Sequence, residues 1–137
     1  LRLDAITKLK PAKIFIMIGV NDIARNMTTG EITANYRTIL ERIRTETPKT
    51  KVYIESVLPV NPATGMALNH TNKTGQIIEL NGKLKELATE FGGTYIDLFS
   101  VMADPDNHLP RKYSIDGLHL SYEGYRVWTE AIRPYVR

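Results

Sequence analysis

The residues best suited to chemistry are an aspartate and a histidine near the C-terminus, Asp116 and His119. They lie three positions apart, in a segment that is predicted to be a loop opening into a helix. A carboxylate at this spacing can fix the tautomer and orientation of an imidazole that acts as a general base. A lone histidine in a loop is more often structural than catalytic. A catalytic interpretation therefore needs a second group, one that stabilises the charge that develops in the reaction.

A second polar group follows the first strongly apolar stretch of the chain. Residues 14–18 are all apolar, Gly19 ends the run, and Asn21 and Asp22 come directly after it. An asparagine at the end of a strand can aim its side-chain amide at an oxyanion. The alternative is a turn residue followed by Asp22 as the cap of a short helix, and taken alone this alternative is the stronger one.

Hydrophobic periodicity predicts the order strand–helix–strand–helix–strand–helix. After a helix end in residues 1–10, we expect strands at 13–18, 51–56 and 94–97, and helices at about 29–47, at 75–91 and after the cap Ser121. This order is typical of a doubly wound α/β fold with a parallel sheet and right-handed crossovers. Ligands in such sheets bind beyond the carboxyl ends of the strands, where both polar groups fall.

Three smaller expectations accompany this order. Thr28 and Glu31 fit a capping box at the start of the first long helix. Residues 57–74 lack periodicity and are predicted to be a long loop, of the kind that often forms a lid or a binding loop. The last helix is expected to turn one side towards the core, formed by Tyr125, Trp128, Ile132 and Val136.

The uniformly apolar stretch 14–18 predicts a strand with a neighbour on each side. Only three strands are predicted and this is the first, so it would be left as an unpaired edge, which natural proteins avoid. The chain also begins with Leu1 rather than Met. We therefore expect residues 1–137 to be a single domain truncated at its N-terminus, with preceding sequence or another chain supplying the missing strands.

Composition narrows the class of protein. The 137 residues suffice for one domain, and no apolar run reaches membrane-spanning length. Cysteine is absent, which excludes a disulfide framework and a thiolate nucleophile but leaves the compartment open between secreted and cytoplasmic. The net charge is +3, yet the basic residues are scattered, so nucleic acid is not an expected partner.

Together the two motifs resemble the SGNH (GDSL-type) hydrolases, a family of esterases, lipases and acylhydrolases. The motifs are Gly19-Val20-Asn21-Asp22 after an apolar strand and Asp116-Gly117-Leu118-His119 before the last helix. The resemblance implies a flavodoxin-like three-layer α/β/α sandwich, of which this chain is the C-terminal two thirds. It also implies catalytic roles for three residues: His119 as base and acid, Asp116 as its orienting partner and Asn21 as an oxyanion donor.

Two elements of the family pattern do not appear in the chain. The family's nucleophilic serine lies in a Gly-Asp-Ser motif after its first strand, and a second oxyanion donor, a glycine, follows that strand. Among the serines present, Ser56 is the least unsuitable substitute, because it follows the second strand, at the edge of the sheet where Asn21 and His119 are expected. Ser114 and Ser121 are too close in sequence to His119, and Ser100 is expected to be structural.

Two further groups of residues are better explained by a structural role than by a functional one. Asp104, Asp106 and His108 have a metal-like spacing, but a turn broken by a proline explains them, and neither a metal nor another cofactor is expected. His70 lies in the long loop, where simple exposure is favoured over a substrate contact.

The resulting hypothesis is an ester hydrolase whose Ser-His-Asp triad takes its serine from upstream of this chain. By resemblance, the substrates would be short acyl esters, such as acetyl groups on carbohydrates or lipids. The alternatives are a non-catalytic binding or assembly domain of the same fold, with a homo-oligomer left open, and an inactive proteolytic core.

Overall fold

The structure is a computed structural model that describes residues 2–137. Its elements in chain order are α1 (Arg2–Lys8), β1 (Lys13–Ile16), α2 (Val20–Ala24), α3 (Thr29–Glu46), β2 (Lys51–Glu55), a 3-10 turn (Pro62–Thr64), α4 (Leu68–Thr71), α5 (Thr74–Glu90), β3 (Thr94–Ile96), α6 (Leu98–Met102) and α7 (Tyr122–Val136). The predicted alternation of strands and long helices is confirmed. None of the described helices combines the length and the hydropathy needed to cross a membrane.

The three strands form one parallel sheet in the order β1-β2-β3. In its register Ile16 lies opposite Ile54, and Ile54 lies opposite Tyr95. Parallel neighbours need a long crossover, which α3 provides between β1 and β2 and α5 between β2 and β3. All three strands therefore end at one rim, where α2, the segment 56–73 and α6 begin.

One face of the sheet is buried beneath α3 and α5. Both helices place apolar side chains three or four positions apart, which produces a continuous stripe towards the sheet. Each residue of these stripes is at most 2% exposed, and they are Ile32, Tyr36, Leu40 and Ile43 in α3 and Ile77, Leu80, Leu84 and Leu87 in α5. The predicted capping box is present, with Thr28 Oγ1 accepting from the Glu31 N–H at 3.1 Å.

The opposite face of the sheet is covered by α7. The Trp128 indole N–H donates to Glu55 Oε1 at 3.0 Å, and the ring of Tyr135 meets the ring of Tyr53 edge-on at 5.8 Å. Tyr53 also stacks on Phe15 of the neighbouring strand, with ring centroids 4.7 Å apart. Helices thus lie on both faces of the sheet, which confirms the expected three-layer α/β/α arrangement.

The last helix departs from the prediction at its ends. Ser121 caps α7 as expected, but Tyr125 and Val136 are 57% and 56% exposed, whereas the pattern placed both towards the core. The side of α7 that packs inwards instead carries Gly124, Trp128 and Tyr135, and Tyr125 and Val136 each follow one of these residues by a single position. A step of about 100° around the helix therefore turns both side chains away from the sheet.

The segments between the predicted elements contain short helices that periodicity did not indicate. Residues 57–74, predicted as a loop, include a 3-10 turn and α4, and α6 follows β3 directly. Asp97 caps α6 by accepting from the N–H of Ser100 at 3.1 Å. Helices of three to five residues are too short to display a 3.6-residue repeat, so their absence from the prediction has a simple cause.

Strand β1 is shorter than predicted and lies at an edge of the sheet. It ends at Ile16 rather than near Gly19, and within residues 2–137 it pairs with β2 alone. Met17 and Ile18 are 37% and 42% exposed. The buried Tyr36 hydroxyl takes over the hydrogen bonds of the strand end, because it accepts from the Ile18 N–H and donates to the Ile18 carbonyl.

A carboxyl group lies buried between the sheet and α7. Glu55 is only 4% exposed, and burial raises the pKa of its carboxyl above the usual 4.5, an effect that the hydrogen bond from Trp128 partly offsets. The folded state therefore holds this proton more tightly than the unfolded chain does. Glu55 supports stability below pH 4.5, and this support is lost as the pH rises through the raised value.

The substitution Glu55→Gln should remove this contribution to the pH dependence of stability while keeping an acceptor for the Trp128 N–H. We expect the free energy of unfolding of the variant minus that of wild type to increase as the pH rises above 4.5, because wild type alone loses stability there. Urea denaturation at several pH values measures it, with the exposed Glu79→Gln as the control. A difference between variant and wild type that stays constant across pH would contradict this account.

Candidate active site

The predicted aspartate and histidine are in direct contact. Asp116 Oδ2 lies 2.7 Å from His119 Nδ1, and Asp116 Oδ1 accepts from the backbone N–H groups of Leu118 and His119, both at 2.8 Å. Ser114 Oγ donates a third hydrogen bond to Oδ1 at 3.2 Å, which is the fourth contact of the carboxylate. One carboxylate therefore shapes the turn that carries the histidine and also holds the imidazole.

These hydrogen bonds set the protonation of Asp116. The His119 imidazole has the largest effect, followed by the Leu118 N–H, and together with the His119 N–H and Ser114 they hold the pKa of the carboxyl far below its usual 3.8. An ionised carboxylate can only accept, so a neutral His119 carries its proton on Nδ1. Its Nε2 then has a free lone pair on a side chain that is 78% exposed, which is the state that a general base requires.

The segment after β2 supports this turn from below. The Asn61 N–H donates to the Gly117 carbonyl at 2.9 Å, and Thr64 Oγ1 donates to the Asp116 carbonyl at 2.9 Å. Gly117 has φ +84°, and a Cβ there would lie 2.3 Å from the Asn61 carbonyl oxygen. Part of the predicted long loop is therefore a support for the Asp116–His119 turn.

Asn21 lies on the same rim, at the exposed start of α2. Gly19 caps this helix without a side-chain hydrogen bond, and Asn21 and Asp22 are both inside it, so the expectation that Asp22 caps the helix is wrong. Gly19 has φ +129°, and a Cβ there would press against Leu80 at 3.0 Å. Close packing of the chain against α5 thus fixes where α2 begins.

An apolar cavity is lined by residues that adjoin the two polar groups in the chain. It has a volume of about 130 Å³, and it is lined by Met17, Ile18, Val20, Leu118 and residues 57–60. Val20 precedes Asn21 in the chain, and Leu118 precedes His119. The chain neighbours of both predicted groups therefore line one cavity, while within residues 2–137 the side chains of Asn21 and His119 are not part of its lining and no hydrogen bond joins them.

The side chain of Asn21 has a partner that the sequence did not indicate. Its Oδ1 lies 3.1 Å from Nε2 of His70, which belongs to α4. The two residues are 49 positions apart in the sequence, so no local pattern could have indicated the contact. Only the tertiary arrangement of α2 and α4 brings the two side chains together. The expectation that His70 is simply exposed is wrong, because the side chain is half-buried and hydrogen-bonded.

Each of the four serines has its hydroxyl in a structural hydrogen bond. Ser56 is fully buried and accepts from the Phe99 N–H at 2.8 Å, which removes the substitute nucleophile that the sequence left open. Ser100 donates to Asp97, Ser114 donates to Asp116, and Ser121 donates to the Lys112 carbonyl. In residues 2–137 no serine hydroxyl hydrogen-bonds to His119.

The metal-like spacing of Asp104, Asp106 and His108 has a structural explanation. Asp104 Oδ1 accepts from the backbone N–H groups of Asp106 and His108, at 2.9 and 3.0 Å. Such a turn, closed by an aspartate side chain, accounts for the carboxylate at this position. Within the described part of the chain, no three His, Cys, Asp or Glu side chains are grouped so as to hold a metal ion.

The fold and the site define an α/β protein with an Asp–His pair at the carboxyl ends of a parallel sheet, and comparison with known families identifies its family. The chain belongs to the GDSL-like lipase/acylhydrolase family, whose family model matches residues 1–127. The family that the two sequence motifs resemble is therefore confirmed, and so is its parallel-sheet α/β fold.

Individual relatives cover the chain almost completely but are themselves longer. A GDSL-like lipase from Bacteroides thetaiotaomicron is 25% identical with a TM-score of 0.83, over 98% of this chain and 67% of its own. A Streptococcus pneumonia protein described as a candidate platelet activating factor is 28% identical with a TM-score of 0.84, over 91% and 59%. The N-acylneuraminate cytidylyltransferase of Escherichia coli O18:K1:H7 (strain RS218 / NMEC) is 30% identical over 126 residues. That match covers 90% of this chain and 28% of the cytidylyltransferase.

The contact between Gly117 and Asn61 allows a test of how the turn is held. Gly117→Ala combines a strained φ of +84° with a Cβ only 2.3 Å from a carbonyl oxygen, whereas Gly65→Ala has φ +70° and no atom within 4 Å. Backbone strain alone costs roughly 1–3 kcal/mol. We expect Gly65→Ala to lose about that much stability and Gly117→Ala distinctly more, because its neighbour must also move.

Chemical denaturation measures both losses. Nuclear magnetic resonance should also show shifted His119 resonances in Gly117→Ala and unchanged ones in Gly65→Ala. Equal losses of stability for the two variants, with His119 undisturbed in both, would contradict a supporting role for the Asn61–Gly117 contact.

Proposed function

We propose that this chain forms part of a carboxylic ester hydrolase that works through a Ser-His-Asp triad. His119 is the general base and acid, Asp116 orients it, and Asn21 donates to the oxyanion. The observation that carries the proposal is the 2.7 Å contact between Asp116 Oδ2 and His119 Nδ1, on an exposed histidine whose neighbour Leu118 lines an apolar cavity. Membership of the GDSL-like lipase/acylhydrolase family supports the reaction class.

The nucleophilic serine is proposed to come from sequence outside these 137 residues. Two observations support this proposal. The hydroxyls of all four serines in the chain are held in structural hydrogen bonds. In addition, the free edge of β1 lies beside the exposed Met17 and Ile18, and it is open to a further strand that would reach the same rim.

The reaction then follows a double displacement. The serine Oγ attacks the ester carbonyl while its proton moves to His119 Nε2, and the carbonyl oxygen becomes an oxyanion that accepts from Asn21 Nδ2. The C–O bond to the alcohol breaks as His119 returns the proton to the leaving oxygen. Water, deprotonated by His119, next attacks the acyl-serine, and collapse of the second tetrahedral intermediate releases the acid and restores the serine.

The cavity favours a short acyl group. Its volume is about 130 Å³, and an apolar cavity of about 150 Å³ in another protein holds one benzene molecule. We therefore infer a short acyl chain, with the alcohol part of the ester, on a carbohydrate or a lipid, left outside the cavity. The apolar lining, from Met17 to Leu118, has no group that would bind a charged acid.

The triad assignment is tested in the full-length protein with p-nitrophenyl acetate. His119→Ala should lower kcat by roughly 10³–10⁶-fold, since the proton has no acceptor. Asp116→Asn should lower it about 10⁴-fold, because the Asn Nδ2 is a donor and selects the wrong imidazole tautomer. Stopped assays at several substrate concentrations separate kcat from KM.

Asp104→Asn is the matched control for the second variant. Asp104 also closes a turn with its Oδ1 but touches no imidazole, so its change should leave kcat near that of wild type. Activity of His119→Ala close to wild type would overturn the triad. Complete inactivity of a folded wild-type protein towards a panel of short acyl esters would instead favour the alternative, a non-catalytic domain of this fold.

A further inference from the structure

The orientation of the Asn21 amide is the point on which its proposed role depends. Asparagine presents an NH₂ donor on one side and a carbonyl acceptor on the other. Only the donor side stabilises an oxyanion, and the acceptor side would repel it. Asn21 is exposed, so water alone would leave both orientations accessible.

The contact with His70 bears on this ambiguity. Asn21 Oδ1 lies 3.1 Å from His70 Nε2, and the contact is a hydrogen bond when Nε2 carries the proton, because a carbonyl oxygen can only accept. With Oδ1 occupied by His70, the Nδ2 hydrogens of Asn21 are the groups left free. The arrangement parallels that of Asp116 and His119, in which one side chain sets the orientation of the next.

The backbone around Asn21 is held by the same region of the chain. Lys73 Nζ donates to Asn26 Oδ1 at 3.3 Å, and Gln76 Nε2 donates to the Met27 carbonyl at 2.9 Å. These contacts, together with that of His70, join residues 70–76 to residues 21–27. The contacts of Lys73 and Gln76 hold the residues that follow α2, and the His70 contact is the one that reaches the side-chain amide of Asn21.

We propose that His70 is a positioning residue that orients the Asn21 side chain so that its NH₂ group faces the substrate oxyanion. This inference rests on the proposed function, because it needs Asn21 to act on the oxyanion. It adds a residue outside both sequence motifs, and it gives α4 a role in the reaction without contact with the substrate.

The first test uses kinetics in the full-length protein. His70→Phe keeps a ring but removes the donor, so kcat for p-nitrophenyl acetate should fall about 10-fold with KM unchanged, because the oxyanion interaction exists only in the transition state. His70→Gln places a donor near the position of Nε2 and should restore most of kcat. In an Asn21→Ala background, which alone should cost roughly 10²–10³-fold, His70→Phe should have no further effect.

The controls distinguish the oxyanion role of Asn21 from the positioning role of His70. Asn69→Ala removes an exposed neighbour on α4 and should leave kcat unchanged. Wild-type kcat in Asn21→Ala would overturn the oxyanion role and, with it, this inference. A large loss in Asn21→Ala combined with wild-type kcat in His70→Phe, or an equal loss in His70→Gln and His70→Phe, would overturn the inference alone.

A spectroscopic measurement tests the contact without any activity. Long-range ¹H–¹⁵N correlation spectra of the wild-type protein should show His70 protonated on Nε2. The Asn21 Nδ2 resonances should shift in His70→Phe and return towards wild type in His70→Gln. A neutral His70 protonated on Nδ1 alone would contradict the inference, since its Nε2 could then only accept.

Discussion

The carboxylate of Asp116 is the group on which the site depends. Its Oδ1 closes the turn by accepting from the Leu118 and His119 N–H groups, and its Oδ2 holds the His119 imidazole at 2.7 Å. Because the same ion contacts both the backbone of the turn and the ring, the position of the His119 imidazole is coupled to the fold of its loop. Charge-assisted hydrogen bonds of this kind are stronger than neutral ones, which explains how an exposed histidine is kept in one orientation.

The turn formed by residues 116–119 is held in place by residues that are distant in sequence. Asn61 and Thr64 donate hydrogen bonds to the carbonyls of Gly117 and Asp116, from more than 50 positions away in the sequence. The backbone of Asn61 comes so close to residue 117 that only a glycine, which has no Cβ, fits there. A long connection after a central strand therefore serves as a platform for the last loop. On the other side of the apolar cavity, α4 and α5 hold α2 in a similar way, so both halves of the site are built on one connected region.

The sequence predicted the features that are local in the chain. The capping box of Thr28 and Glu31, the cap Ser121 and the Asp116–His119 pair depend on neighbours three residues apart, and the structure contains all of them. The order of long elements was also predictable, since two amphipathic helices and three short apolar runs permit few topologies. These regularities, with the two motifs, sufficed for the family and its fold.

The remaining features depend on tertiary contacts or on short elements. No spacing links Asn21 to His70, and no periodicity marks helices as short as α4 and α6. Tyr125 is exposed because it lies one position past the buried Gly124, on a neighbouring side of α7, and the helical pattern alone did not determine which of these sides faces the sheet.

The most direct measurement of the central claim is the labelling of the full-length protein with a fluorophosphonate, followed by mapping of the adduct by mass spectrometry. The account predicts one adduct, on a serine outside residues 1–137, formed far more slowly in His119→Ala. An adduct on Ser56, Ser100, Ser114 or Ser121, or labelling that is independent of His119, would contradict it.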